Sequence, residues 1–93
     1  MIIGLLVLEI HIPYARSLKE KRKTLNSLRD RVRKRWNVAL SEVDYLQKWQ
    51  RSRIAIVSVN TRKSPLERAF QAILQDIENS IDGEVTFLET SFF

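Results

Sequence analysis

The sequence predicts an α+β sandwich: a four-stranded antiparallel sheet with two helices on one face. Three observations predict it. Apolar residues recur at strand and helix periods in the order strand, helix, strand, strand, helix, strand. Each helical stretch opens on a Ser-x-x-Glu signature, at Ser17–Glu20 and Ser64–Glu67. No helix separates the second and third strands, so they pair as antiparallel neighbours. Right-handed crossovers then place the first and third strands at the centre and both helices on one side. That arrangement is the ferredoxin-like sandwich, and 93 residues suit one core, so residues 1–93 read as a single domain.

The first strand spans residues 2–12, β-branched and leucine-rich, and stops at Pro13. Gly4, Leu6, Leu8, Ile10 and Ile12 share one face; Ile3, Leu5 and Val7 precede Glu9 and His11 on the other. Apolar residues on both faces of its first half predict a central strand covered on both sides there. In the first helix the Ser17 hydroxyl is placed to accept from the Glu20 amide, and the Glu20 side chain to reach back to the Ser17 amide. Leu18, Leu25, Leu28 and Val32 form the buried stripe. Arg33, Lys34 and Arg35 suit the negative end of the helix dipole, and Asn37 ends the helix. Strands follow over 37–44 and 52–60, separated by the aromatic segment YLQKWQR. The second helix has Pro65 at its predicted first position and buries Leu66, Ala69, Phe70, Ile73, Leu74 and Ile77. Asp82-Gly83 turns the chain into a last strand, EVTFLETSF.

Composition excludes several function classes. There is no cysteine and a single histidine, His11, so neither a thiolate nucleophile, a cysteine zinc site nor a multi-histidine metal site is available. No glycine-rich loop, nucleophile elbow or carboxylate pair accompanies His11, and an enzyme is not expected. No cofactor, metal or small-molecule substrate is implied. The apolar start, MIIGLLVLEI, has no preceding basic region and is interrupted by Glu9, so neither a signal peptide nor a spanning helix is predicted; a cytoplasmic protein with no membrane partner is the expectation.

Charge is the most uneven feature. Residues 16–35 hold ten Lys and Arg against Glu20 and Asp30, a local +8, while the rest of the chain carries −3. At 100° per residue, Lys19, Arg22, Asn26, Arg29 and Arg33 form a flank beside the apolar stripe, and Lys23 and Lys34 point outward. Such a ridge attracts phosphate polymers through screened electrostatics and counterion release. It serves equally as a solvated face whose side-chain stems cover the sheet edge. Lys21 falls against the apolar stripe and needs a carboxylate; Glu42 is the expected partner in a structural ion pair, with Glu9 as the other candidate. Trp49, between Lys48 and Arg51, is placed either to cover the end of the core, to stack a base or to meet a protein. Trp36 continues the helix stripe and is expected to pack at the helix end.

The SLKEKR segment at 17–22, the opening MIIGLLVLEI, the segment WNVALSEV and the Trp49-Gln50-Arg51 triplet together resemble the YlxP-like family of small bacterial proteins of unknown function. The resemblance spans nearly the whole chain and implies the same ferredoxin-like fold and no enzymatic activity. Genes of that family often neighbour those of translation initiation factor two and ribosome-binding factor A, which implies a link to RNA or the ribosome. The turn Asp44-Tyr45-Leu46-Gln47-Lys48 departs from the short acidic or glycine-bearing turn usual before the triplet. The expectation is therefore a non-enzymatic RNA- or ribosome-binding protein using Arg16, Lys19, Arg22, Lys23, Arg29, Arg33, Trp49 and Arg51. The alternative is an adaptor or homodimer acting through the open sheet face, where Ile3, Leu5 and Val7 lie, and the Trp49 loop.

Overall fold

The computed structural model describes residues 1–93. Its elements are β1 (Ile2–His11), α1 (Leu18–Arg35), β2 (Ala39–Asp44), β3 (Arg51–Asn60), α2 (Lys63–Ser80) and β4 (Glu84–Phe92). The sheet order is β2-β3-β1-β4 with every neighbouring pair antiparallel. This is the ferredoxin-like sandwich, with β1 and β3 central and β2 and β4 as edges. No helix is long and apolar enough to cross a membrane.

Alternation decides what is buried. Leu6, Leu8 and Ile10 of β1 meet Ile54 and Ile56 of β3 on the helix side, and all are essentially inaccessible. Leu25, Leu28 and Val32 of α1 and Phe70, Ile73 and Ile77 of α2 close over them in one contiguous cluster. Leu66 is buried beside Gly4, while Leu18, Ala69 and Leu74 are half-buried at the margins. Gly4 is small because α2 crosses close: a Cβ there would stand 2.9 Å from the Phe70 ring. At Gly83 a Cβ would lie 2.1 Å from the His11 carbonyl oxygen, so the turn into β4 tolerates no side chain.

Four local expectations are corrected. Ser17 does cap α1, its Oγ accepting from Glu20 N at 3.1 Å, but Glu20 turns to the Arg16 amide at 2.7 Å rather than to that of Ser17. There is no capping box at Ser64. The helix starts at Lys63, Arg62 is the N-cap without a side-chain bond, and Asn60 Oδ1 accepts from Arg62 N at 3.1 Å. Pro65 is tolerated inside the first turn because that N–H has no intrahelical acceptor in any residue. The first helix hands over to extended chain at Trp36 rather than Asn37, and Trp36 packs against the core. The first half of β1 is covered by α2 and the core on one face only; Ile3, Leu5 and Val7 on the other are half-buried by neighbouring strands, with no layer above.

Candidate functional site

Placing the charges shows which cations the fold has already used. Arg31 and Arg35, one turn apart on α1, both reach Asp76 of α2, at 3.1 and 2.9 Å. Arg31 also donates to the Asp76 carbonyl and to the Ser80 hydroxyl. This fork ties the two helices along their outer seam. Arg51 and Arg53 share Glu9 on the open sheet face, Arg53 Nη2 to Oε1 at 2.7 Å and Arg51 Nη2 to Oε2 at 3.1 Å. Hydrogen bonding from Arg53 above all holds the Glu9 carboxyl below the usual carboxylate range, against a desolvation that acts the other way. The same bond raises Arg53 further above its already high value.

Ten cations take no ion pair: Lys48, Arg62, Lys63 and Arg68 elsewhere in the chain, and six gathered on α1 or just before it. Arg16, Lys19, Arg22, Lys23, Arg33 and Lys34 are exposed, and the ion pairs of the fold include none of them. Arg29 touches only its neighbour Asp30, across 3.4 Å and largely in solvent. Lys19, Arg22, Arg29 and Arg33 therefore stand on one flank of an 18-residue helix, which spans about 27 Å at ~1.5 Å per residue.

Lys21 has a different task. Its side chain is 0% exposed, and its Nζ lies 2.8 Å from Glu42 Oε2, which Ser52 Oγ also reaches at 2.7 Å. The ammonium donates further to the carbonyl oxygens of Tyr45, Leu46 and Arg51, at 2.8, 3.3 and 3.4 Å. Lys21 thus holds both the edge strand and the β2–β3 loop against the start of α1. Glu9 is no partner for it, because Glu9 projects from the opposite face of the sheet.

Two more fastenings fix that loop. Gln50 Nε2 donates to the carbonyls of Pro13 and Ala15 at 3.0 and 3.1 Å, and Ile12 N donates to the Gln50 carbonyl at 2.9 Å. Tyr45 takes the left-handed conformation, φ 62°, with its amide on Asp44 Oδ1 at 2.7 Å. Its ring lies 3.9 Å from the Arg51 guanidinium and 5.3 Å from that of Arg53, a cation–π stack that offsets the backbone cost. The consequence for the Trp49-Gln50-Arg51 triplet is a division of labour. Gln50 is tied inward, Arg51 turns to Glu9 and Tyr45 rather than joining the ridge, and Trp49 is left 53% exposed at the end of the molecule that carries the α1 N-terminus.

Ser52 and Asp76 carried no signal in the sequence, and Gln50 only its place in the Trp49-Gln50-Arg51 triplet, because their partners lie 10 to 45 residues away. His11 is exposed on the open face between Arg51 and Glu84 in the strand register. No three His, Cys, Asp or Glu side chains stand together as metal ligands.

These features define a small ferredoxin-like protein with one cationic helix and a pinned, tryptophan-bearing loop. The chain belongs to the family described as protein of unknown function DUF503, whose pattern matches residues 3–90. It is similar to the uncharacterized protein YlxP of Bacillus subtilis (strain 168), 35% identical over 91 residues that cover 98% of this chain and 99% of the relative. Among solved structures, the intact alpha subunit of aIF2 from Pyrococcus abyssi is similar in fold, with a TM-score of 0.55 and 22% identity. That likeness covers 96% of this chain and 34% of the subunit, so the chain corresponds to about a third of that protein.

Proposed function

We propose that the chain is a non-enzymatic protein that binds ribosomal or other structured RNA along α1. The observation that carries this reading is the set of cations left unneutralised on one helix while the fold spends its acidic residues elsewhere. Asp76, Glu9 and Glu42 take up five basic side chains, none of them from the exposed flank. Phosphate contacts of this kind give position and affinity without a sequence code. Structured RNA fits better than base-by-base reading of a single strand, because the centre of the open sheet face offers Leu5, Val7, Ala55 and Val57 where strand-reading sheets carry stacking aromatics, and Tyr45 at its margin is already stacked on Arg51. Trp49 and Tyr14 are exposed aromatics near the helix start, and on this reading Trp49, the more exposed, stacks on one unpaired base.

The test is a charge reversal on each helix. Arg22→Glu with Arg33→Glu should abolish binding to a ribosomal RNA hairpin, while Arg68→Glu on α2 should leave it within about twofold. Equal losses from both helices, or no binding by the unaltered protein, refute the reading.

A second reading concerns the open face and is compatible with the first. Val57 and Val59 are exposed beside Ile3, Leu5, Val7 and Ala55, an aliphatic patch in the middle of an uncovered sheet. The occupant that suits it is a second copy of this chain. The excess positive charge lies on the far layer, so two such faces meet without strong repulsion. Four strands about 4.8 Å apart over some six residues of about 3.3 Å give a flat footprint of roughly 400 Å² per copy. That is about half the area a standard interface buries on each partner, the size range of weak, transient pairings.

A further inference from the structure

A groove of 180 Å³ runs along the seam between α1 and the edge strand β2. Leu25 and Leu40 contribute apolar walls, and Arg22, Asn26 and Arg29 line it from the helix. Its volume equals about six waters at ~30 Å³ each, and falls short of the roughly 300 Å³ at which small-molecule pockets begin. A tetrahedral anion fits that scale.

The charges in the groove are arranged for such an anion. Glu42 is its one carboxylate, and Oε2 is already held by Lys21 and Ser52, so it does not neutralise the arginines. Arg22 has no ion-pair partner. Arg29 is unusual: its Nε is shielded from solvent and meets no acceptor, while its Nη2 touches only the exposed Asp30 carboxylate across 3.4 Å. Buried donors in folded proteins are nearly always satisfied, so an idle one on a guanidinium fork asks for an oxygen partner. A phosphate offers two oxygens at the spacing that Nε and Nη2 take together, and it engages Nε once the part-exposed guanidinium swings that shielded edge toward the groove.

We infer that this seam seats one phosphate of an RNA backbone, with Arg22 and Arg29 as its charged partners and Asn26 as a neutral donor. The inference rests on the RNA reading for its occupant but not for its geometry. Arg29 is thereby distinguished from Arg33 and Lys34: it anchors one phosphate in a fixed place, whereas they contribute to a diffuse field.

The experiment follows the side-chain Nε–H resonance of Arg29 by NMR in the full chain, during separate titrations with inorganic phosphate, a short RNA hairpin and a glutamate-rich peptide. Both phosphate probes should shift it. Arg29→Lys should lower hairpin affinity about fivefold or more, because a lysine cannot present the fork, while Lys34→Ala costs about twofold. If the hairpin binds and the Arg29 resonance stays still, the seat is wrong and the RNA reading stands. If inorganic phosphate shifts it and no RNA binds, the RNA reading and this occupant fail together while the anion seat remains. A larger response to the peptide, with shifts along the β2 amides, overturns the phosphate in favour of an added strand.

Discussion

Lys21 Nζ and Glu42 Oε2 stand 2.8 Å apart beneath the first turns of α1, and the ammonium's remaining bonds go to carbonyls of the loop that carries Trp49. One buried charge pair therefore fixes three things: the register of the edge strand, the path of the loop and the seating of α1. Removing one partner from such a pair typically costs about 3–5 kcal/mol, because the other charge is stranded. Lys21→Met is expected to lower unfolding free energy by that order in urea titrations. Lys21→Met with Glu42→Leu should recover part of it but not all, since the loop carbonyls still lose the two N–H donors they share, at about 1 kcal/mol each.

Glu9 supplies a pH signature. Its folded pKa is held below the ordinary carboxylate value by Arg53 and Arg51, so its contribution to stability is fully present above that ordinary value and is lost as pH falls through the folded one. Side-chain carboxyl NMR should place its titration below the ordinary carboxylate value, and Arg53→Met should move it upward. An unchanged midpoint in that variant would show that the Arg53 contact does not hold in solution.

Trp49 is tied to nothing that the fold needs, whereas its neighbour Gln50 closes the loop on Pro13 and Ala15. Trp49→Ala should leave unfolding free energy within about 0.5 kcal/mol, and lower RNA affinity by about 1–3 kcal/mol if the ring stacks on a base. Gln50→Ala should do the reverse: a measurable loss of stability and faster amide exchange at Ile12, whose N–H bonds the Gln50 carbonyl.

Self-association through the open face should appear in sedimentation as a rise in mean mass between about 10 μM and about 500 μM, given the footprint of that face. Val57→Lys, at an exposed position, should hold the protein monomeric throughout without unfolding it. A monomer at the top of that range removes the second copy from consideration.

The alternation in β1 and β3 and the helical stripes in α1 and α2 made the fold legible, because burial on one face dictates both periods. Lys21 was legible for the same reason: a lysine in an apolar stripe demands a carboxylate, and Glu42 was the one facing inward. The capping box at Ser64 misled because Asn60, outside the motif, bonds the Arg62 amide and lets the helix begin earlier. Arg51 was expected to act beside Trp49, whereas strand alternation turns it to the open face with Glu9. Which cations stay free is a property of tertiary contacts. Arg31 and Arg35 look like their neighbours in sequence, and only the packing of α2 delivers Asp76 to them.

The most direct test of the central claim is the slope of log affinity for an RNA hairpin against log salt, measured for the unaltered protein and for Arg22→Ala with Arg33→Ala. Four phosphate contacts from Lys19, Arg22, Arg29 and Arg33 predict a slope of about −3 to −4, falling in magnitude by about 2 in the double variant. A slope near zero, or one that the double variant leaves unchanged, would contradict binding along α1.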